Sequence, residues 1–409
     1  MSEIPGSGAR KAALKMLDAV LRRGETLEQA GGAANGLPGF ADRALARAVA
    51  SEVLRWLPDL DALIDSATAK PLPPDAKPRM VLRMMLAQWL RLETPPHAVV
   101  ATALPLLDGG PKRLAHGVFA TLIRAEATLP PVPSLPEAVA ARWGERAEAI
   151  AAGLAEPPPL DLSLRSDSEV EGLEGESLAP RHRRLPRGTS VEKLAGFDEG
   201  AWWVQDLAAS LPARLLGAGE GPKGKGRVLD LCAAPGGKTL QLASMGWQVT
   251  ALDNSSRRLE RLRQNLARTG LAAEIIEADA MGWHPEAQFD AVLLDAPCTA
   301  TGTCRRNPDV LHRIGDRQIA AMAELQRQLL DRAVNWLSPG GRLVYATCSL
   351  ERAEGEDVAA LCELSPDPIR ADELPAGLLP TAEGWLRTDP GMLNEAGGLD
   401  GFFVARWVA

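Results

Sequence analysis

The sequence predicts an α/β fold with a mostly parallel sheet, set behind an all-helical N-terminal domain. Three observations carry that expectation. From about residue 196, short apolar runs alternate with helical stretches, the pattern of βαβ units. Residues 9 to about 128 show only helical spacing of their apolar side chains. Three strand-like runs also end in reactive chemistry, one in a glycine turn and two in cysteines. They would converge on one edge of a parallel sheet, where open α/β folds bind ligands.

The 409 residues suffice for two or three domains, and 46% apolar with 24% charged residues is ordinary for a globular protein. No apolar run approaches the roughly 18–20 residues that cross a bilayer. The N-terminus shows no signal-peptide core. A cytoplasmic protein without a membrane partner is expected, and a monomer. The five cysteines (232, 298, 304, 348, 362) form no C-x-x-C pair, and the five histidines are scattered. Neither a disulfide framework nor a metal centre is therefore expected. The net charge of −8 argues against non-specific nucleic-acid binding, but phosphate contacts need local clusters of Lys and Arg. Three are present: Arg181-His182-Arg183-Arg184 with Arg187; Lys223, Lys225 and Arg227; and Arg305-Arg306.

Taken in order, Leu14, Leu17, Val20 and Leu21 make a helical stripe that stops at Gly24, a candidate C-cap. Leu45, Val49, Val53 and Trp56 form a second stripe. A third is Val81, Leu82, Met85 and Trp89, and a later one is Leu114, Val118 and Leu122. Pro130, Pro131, Pro133 and Pro136 mark a stiff linker, and one amphipathic helix is expected over 136–156. Residues 160–195 are expected to form a small β-containing lobe. Domain boundaries are accordingly placed at 1–130, 131–195 and 196–409. In the last of these a helix is expected over Val204–Leu216, then strands at 228–231, 249–252, 274–277, 291–294, 342–346 and 402–406. Helices are expected from near Gly237, over Ser255–Arg268 and over Asp316–Leu337.

The turn Cys232-Ala233-Ala234-Pro235-Gly236-Gly237-Lys238-Thr239 has three readings. It is not G-x-G-x-x-G, because its two glycines are adjacent. Gly237-Lys238-Thr239 fits the end of a P-loop, but the first glycine of that loop would fall on Cys232. The third reading is the first strand–loop–helix of a class I methyltransferase, whose tight turn admits S-adenosyl-L-methionine. Asp253, which ends the second strand, stands where doubly wound folds hold ribose hydroxyls. With Asp230, Asp279 and Asp295 it makes four strand-end carboxylates. They suit a cationic, phosphate-free ligand and would repel a pyrophosphate.

Cys298 and Cys348 each lie just past a strand. Cytosine is too electron-poor at carbon 5 to accept a methyl group directly. A thiolate that adds to carbon 6 makes carbon 5 nucleophilic, and the thiol leaves once the carbon 5 proton is removed. A free thiol has a pKa of about 8.5, so such catalysis needs local stabilisation of the anion and an activated target. Asp295 could supply the activation by hydrogen bonding near ring N3. Residue chemistry leaves open which of the two cysteines attacks.

The segments Asp230–Thr239, Asp295-Ala-Pro-Cys298 leading to Gly302 and Arg305-Arg306-Asn-Pro-Asp309, Tyr345-Ala-Thr-Cys-Ser349, Asp400-Gly-Phe-Phe403 and Trp203-Val-Gln-Asp206 resemble RNA cytosine-5 methyltransferases of the Sun/RsmB kind. The helical segment, with Pro96-His97-Ala98 and Lys112–Arg124, is similar to the NusB-like RNA-binding domain that precedes the catalytic part in that family. The resemblance implies an α/β class I, Rossmann-like methyltransferase domain, an N-terminal all-α NusB-like domain and a small α+β lobe between them. It implies S-adenosyl-L-methionine as cofactor, held by residues 232–238, Asp253, Asp279 and Asp295. It assigns nucleophilic attack to Cys348 and product release to Cys298, and places Lys238 near base and cofactor. The implied substrate is RNA, small-subunit ribosomal RNA foremost. A tRNA cytosine-5 methyltransferase and a non-catalytic RNA-binding protein are the competing readings. Thr299 stands where the family usually has serine, and Asp167, in Leu164-Arg165-Ser166-Asp167, where it often has asparagine.

Overall fold

A computed structural model describes residues 5–168, 170–221 and 224–409. Two compact units emerge: Met1–Ala155 with Arg306–Ile314, and Glu156–Arg305 with Gly315–Ala409.

The first unit is helical: α1 (Ser7–Arg23), α2 (Leu27–Ala30), α3 (Phe40–Arg55), α4 (Leu57–Ser66), α5 (Lys77–Leu90), α6 (Pro96–Ala103) and α7 (Gly109–Arg124). The expected stripes form one core in which Leu17, Val49, Val53, Val81, Leu82 and Met85 are inaccessible to solvent, but Leu114 of the last stripe is exposed, and Ala115 packs inward in its place. Gly24 caps α1 in the left-handed region, at φ 70°. Two departures follow from specific bonds. The helix expected over 136–156 is broken into α8 (Glu137–Trp143) and α9 (Ala147–Leu154) at Gly144, whose φ of 55° ends the first of them. The proline segment also belongs with the helical unit and not with the lobe that follows. Ser134 donates twice to Asp59 (2.9 and 2.7 Å), Arg55 donates to the Leu154 carbonyl (2.9 Å) and Arg91 to that of Ala155 (2.8 Å). The segment 306–314 joins this unit through a one-turn helix, Val310–Arg313, with Val310 and Leu311 buried and a His312 ring nitrogen 2.6 Å from the Leu54 carbonyl.

The second unit opens with a three-stranded antiparallel sheet of β1 (Leu160–Leu164), β2 (His182–Leu185) and β3 (Trp202–Val204), in the order β2-β1-β3. The expected helix start at Val204 is therefore corrected. Trp202-Trp203-Val204 pairs with β1, and α10 (Leu207–Leu216) begins only after Asp206, whose side chain caps it by accepting from Ala208 N (2.9 Å). A hairpin, β4 (Glu220–Gly221) and β5 (Gly224–Lys225), leads into the main sheet. That sheet contains β6 (Arg227–Leu231), β7 (Gln248–Asp253), β8 (Glu274–Glu277), β9 (Phe289–Asp295), β10 (Leu337–Thr347), β11 (Ser365–Pro366), β12 (Leu386–Thr388) and β13 (Phe402–Val408). Their order is β11-β13-β10-β9-β6-β7-β8, with β12 also on β13. The five strands from β10 to β8 are parallel, and β13 is antiparallel to β10. Helix α11 (Gly237–Ser244) follows β6, α12 (Ser256–Thr269) follows β7, and a helix over Asp316–Asn335 precedes β10. It stops before Leu337 because that residue already pairs with Phe289.

The strand order reverses between β6 and β9. A crevice must open beyond their carboxyl ends, the usual place for a ligand in a doubly wound sheet.

Candidate active site

A cavity of about 390 Å³ occupies that crevice. Strand register determines what enters it. Leu231 lies beside Leu252 and Leu294, and Ala346 beside Asp295, so the chains leaving β6, β7, β9 and β10 emerge side by side. Cys232, Ala234, Asp253, Asp279, Asp295, Cys298 and Cys348 all line the space, with apolar walls from Met281, Leu325 and Leu329.

The expected residues divide by role. Cys232 turns the backbone at φ 65°, and its thiol is held well above the ordinary range by burial and then by Asp253 and Asp295. Ala233 packs inward with Leu240 and Leu259. Pro235, Gly236 and Gly237 shape the turn without lining the cavity. Gly236 sits at φ 107°, and a Cβ there would lie 2.3 Å from Leu262, so both conformation and space require glycine. Asp253 is buried, accepts from Ala234 N (3.1 Å) and Ser255 N (2.8 Å), and pairs with Arg258 (2.9 Å). Asp279 fastens its own loop by accepting from Met281 N (2.9 Å). Asp230 lies beneath the turn and accepts from the Thr239 hydroxyl (2.5 Å). Burial raises its pKa to about 7 against the pull of that bond, and the Asp295 charge raises it further.

Beside Asp295, Lys238 Nζ donates to its carboxylate (2.7 Å) and stands 5.1 Å from the centre of the Phe402 ring. Burial opposes the ammonium charge, but Asp295 outweighs it and raises the lysine pKa; the neighbouring Cys348 acts in the same direction. The two sulfurs, Cys298 Sγ and Cys348 Sγ, are 3.3 Å apart. Cys298 is raised well above the ordinary thiol range, first by its hydrogen bond with Cys348 and then by burial. It therefore keeps its proton beside the other sulfur.

Sequence reasoning missed the group that fastens the two cysteine loops. Glu354 is fully buried and accepts from Thr299 N (2.9 Å) and Thr299 Oγ1 (2.5 Å), from Ser349 Oγ, and from Gln326 Nε2 (3.3 Å). Thr299 follows Cys298 and Ser349 follows Cys348, so one carboxylate holds both loops. Gly302 completes the clamp. Its N–H donates to the Cys348 carbonyl (3.0 Å), and a Cβ there would lie 2.0 Å from the Gly401 carbonyl oxygen. No periodic signal marks Glu354. Only its place six residues beyond Cys348 could have drawn attention to it.

The basic clusters are largely structural. Arg184 is bound in a buried fork to Asp161 (2.7 Å twice), His182 is inaccessible, and Arg187 pairs with Glu156 (2.6 Å). Arg227 lies over the Phe289 ring (4.9 Å), and Arg305 is buried with a bond to the Gly397 carbonyl (2.5 Å). Lys223 lies outside the described residues. Among the described residues, no group of three or more His, Cys, Asp and Glu side chains could hold a metal ion, and no helix is long and apolar enough to cross a membrane.

A doubly wound sheet whose carboxyl edge combines carboxylates with a cysteine pair is the frame of a class I methyltransferase. Family models place the particular group. The 16S rRNA methyltransferase RsmB/F model matches residues 221–407, and the NusB family model matches residues 7–109. Ribosomal RNA small subunit methyltransferase B of Xylella fastidiosa (strain Temecula1) is 36% identical, with 98% of each chain covered. Its counterpart in Klebsiella pneumoniae subsp. pneumoniae is 34% identical, over 98% of this chain and 97% of that one. The chain belongs to the RsmB/F family of S-adenosylmethionine-dependent methyltransferases. The fold is shared with the crystal structure of PH0851, at a TM-score of 0.70 and 22% identity over 99% of each chain. It is also shared with NSun6 from Pyrococcus horikoshii, solved with SFG, at 0.58 and 19% over 67% of this chain and 98% of that one.

The cavity fits the cofactor. The carboxylates of Asp253, Asp279 and Asp295 suit a cationic ligand, and Met281, Leu325 and Leu329 offer it an apolar wall.

Proposed function

We propose that this protein methylates carbon 5 of a cytosine in small-subunit ribosomal RNA, in the cytoplasm, through a transient covalent adduct. The observation that carries the reading is the thiol pair, 3.3 Å from sulfur to sulfur, in a cavity that Asp295, bonded to Lys238, also lines. Relatives named for small-subunit rRNA methylation support ribosomal RNA over tRNA. A non-catalytic RNA-binding protein would need neither the thiol pair nor the cofactor cavity.

S-adenosylmethionine, held by the turn after β6 and by Asp253, Asp279 and Asp295, supplies a methyl group activated on a sulfonium. Cys348 acts as nucleophile, its sulfur bonding to carbon 6 of the cytosine. Asp295, taking a proton along its bond from Lys238, donates it toward ring N3 as the sulfur adds, which draws electron density out of the ring and makes carbon 5 nucleophilic toward the sulfonium methyl. To complete the reaction carbon 5 would take the methyl group as its sulfonium bond breaks, the carbon 5 proton passes to the Cys298 thiolate, the 5,6 double bond re-forms and the carbon–sulfur pair returns to Cys348.

The asymmetry of the two thiols supports this division. Cys298 is held protonated mainly by its bond to Cys348. Once the Cys348 sulfur is bonded to carbon it carries no charge, and that restraint on Cys298 is lifted. Adduct formation thus frees Cys298 for proton transfer in the release step. Since the target base must reach the thiols, it has to leave its stack, and the substrate is an accessible or unpaired segment.

The test uses Cys348→Ala and Cys298→Ala with ribosomal RNA and labelled cofactor. The expected results are no methyl transfer and no adduct in the first, and a persistent protein–RNA adduct in the second. Reversed results would exchange the two roles. A methylated product other than 5-methylcytosine would overturn the chemistry.

A further inference from the structure

The second unit has a cavity larger than the one that holds the thiols. It measures about 1020 Å³ and is lined by the end of β1, by α10, by the last turn of α11 and by the hairpin before β6. Helix α11 begins at the thiol edge of the sheet and runs back to the other, so Ser244 and Gly246 mark the edge where strands start. The catalytic mechanism makes no use of this space.

Four cations line it: Arg165, Arg181, Arg214 and Lys225. Each carboxylate beside them already has a partner, for Asp167 a cation of the lining itself. Asp167 is bonded to Arg181 (2.9 Å), Asp372 to Arg370 (3.1 Å), and Glu373 to the buried Arg406 (2.8 Å). Arg181 also donates to the Ser244 carbonyl, offsetting the negative end of α11 (3.2 Å). Among the described residues, Arg165, Arg214 and Lys225 have no ion-pair partner. Arg214 is half-buried, and only its Nε is used, donating to Ser210 Oγ (3.1 Å). Its pKa falls to about 10, by burial and then by repulsion from Arg181, so the charge is held at a cost that an anion would relieve. Arg165 spends one NH on the Thr269 carbonyl (2.8 Å).

We propose that this cavity binds a phosphate group of the RNA backbone, at the edge of the catalytic unit opposite the thiols. Forked guanidinium donors with a nearby ammonium match tetrahedral phosphate oxygens. The cations at Arg184 and Arg305 are consumed internally, whereas Arg165, Arg214 and Lys225, brought here from separate elements, have no ion-pair partner among the described residues, and Arg181 is held beside them by Asp167. The inference rests on RNA being the substrate.

The test measures binding of the full chain to a short fluorescein-labelled single-stranded RNA across a salt series, for the wild type, Arg214→Gln and Arg165→Gln. Each variant should weaken binding at low salt and reduce the slope of log K against log salt by about 0.7, the loss of one single-strand phosphate contact. S-adenosylhomocysteine affinity should stay unchanged. Arg165 is exposed, so its variant guards against a folding defect in the other. A second arm uses inorganic pyrophosphate. If it raises the melting temperature of the wild type but not of Arg214→Gln while the RNA slopes are equal, the phosphate is a free ligand and the RNA source is overturned. If neither slope nor stabilisation changes, the site itself is overturned. Failure to form 5-methylcytosine would leave the salt slopes untouched, so the two readings fail separately.

Discussion

Cys298 and Cys348, fifty positions apart in sequence, meet sulfur to sulfur at 3.3 Å because the backbone brings them together. Asp295 and Ala346 are neighbours across β9 and β10, and Ala296 N donates to the Ala346 carbonyl at 2.9 Å just beyond the last strand pair. Each loop then carries its cysteine two or three residues further. Gly302 N fixes the second loop to the first through the Cys348 carbonyl (3.0 Å). The contact is thus a product of strand register and loop hydrogen bonds, and both thiols remain free.

The first prediction concerns Cys298 itself. Its largest upward influence is the bond with Cys348, followed by burial. Removing the partner removes the first influence and keeps the second. In Cys348→Ala the Cys298 pKa should therefore fall, yet stay above the ordinary 8.5. The pH dependence of iodoacetamide alkylation, with Cys232, Cys304 and Cys362 replaced by alanine, reads this directly. An unchanged profile would mean that the two sulfurs do not share a proton.

Glu354 leads to a second. Its carboxylate joins Thr299 to Ser349 inside a fully buried network that also includes Gln326. Glu354→Ala leaves several donors without an acceptor, at about 1–3 kcal/mol for each one left unsatisfied. It also releases both cysteine loops. A displacement of about 1 Å in a reacting group can cost on the order of 100-fold in rate. Single-turnover methylation should fall by that order, while S-adenosylhomocysteine affinity, which depends on the β6 turn and Asp253, stays within about twofold. Equal losses in both would mark Glu354 as a general fold residue.

Much of the catalytic unit was legible from sequence because its strands are short, apolar and separated by turns. Of the four strand-end carboxylates, Asp253, Asp279 and Asp295 line the cavity, while Asp230 is buried beneath the turn. Two kinds of feature were not legible. One is the boundary set by single hydrogen bonds, such as Ser134 to Asp59 and Arg55 to Leu154, which recruit a proline-rich stretch to the helical unit. The other is charge that folding neutralises. Arg184 and Arg305 read as exposed cations in a linear cluster, but each is buried against a distant acceptor, Asp161 or Gly397. Val204 was placed at a helix start because the strand it closes, Trp202–Val204, is too short to show alternation.

The geometry of the thiol pair makes it sensitive to oxidation, the third prediction. A disulfide requires about 2.05 Å between the sulfurs, so roughly 1.3 Å of approach closes the gap. Diamide, which accepts the two electrons and two protons lost by the thiols, should form one Cys298–Cys348 bond and abolish methyl transfer. Dithiothreitol should restore it. Peptide mapping that finds both thiols free after loss of activity would defeat the prediction.

Asp230 supplies a prediction about stability. Its side chain is fully buried under the β6 turn and bonded to Thr239, and burial raises its pKa to about 7. An unfolded aspartate titrates near 3.9. With the folded pKa above the unfolded one, the native state holds the extra proton between these values. The resulting stability is complete below about pH 4 and is lost as pH rises through about 7. Three units correspond to roughly 4 kcal/mol as an order of magnitude. Asp230→Asn keeps the shape and an acceptor for Thr239 without the charge. Melting temperatures measured from pH 5 to 8 should fall less steeply for this variant than for the wild type, which should be the less stable above pH 7. Parallel curves would show that Asp230 is already ionised in the folded protein, with Lys238 as the group best placed to compensate it.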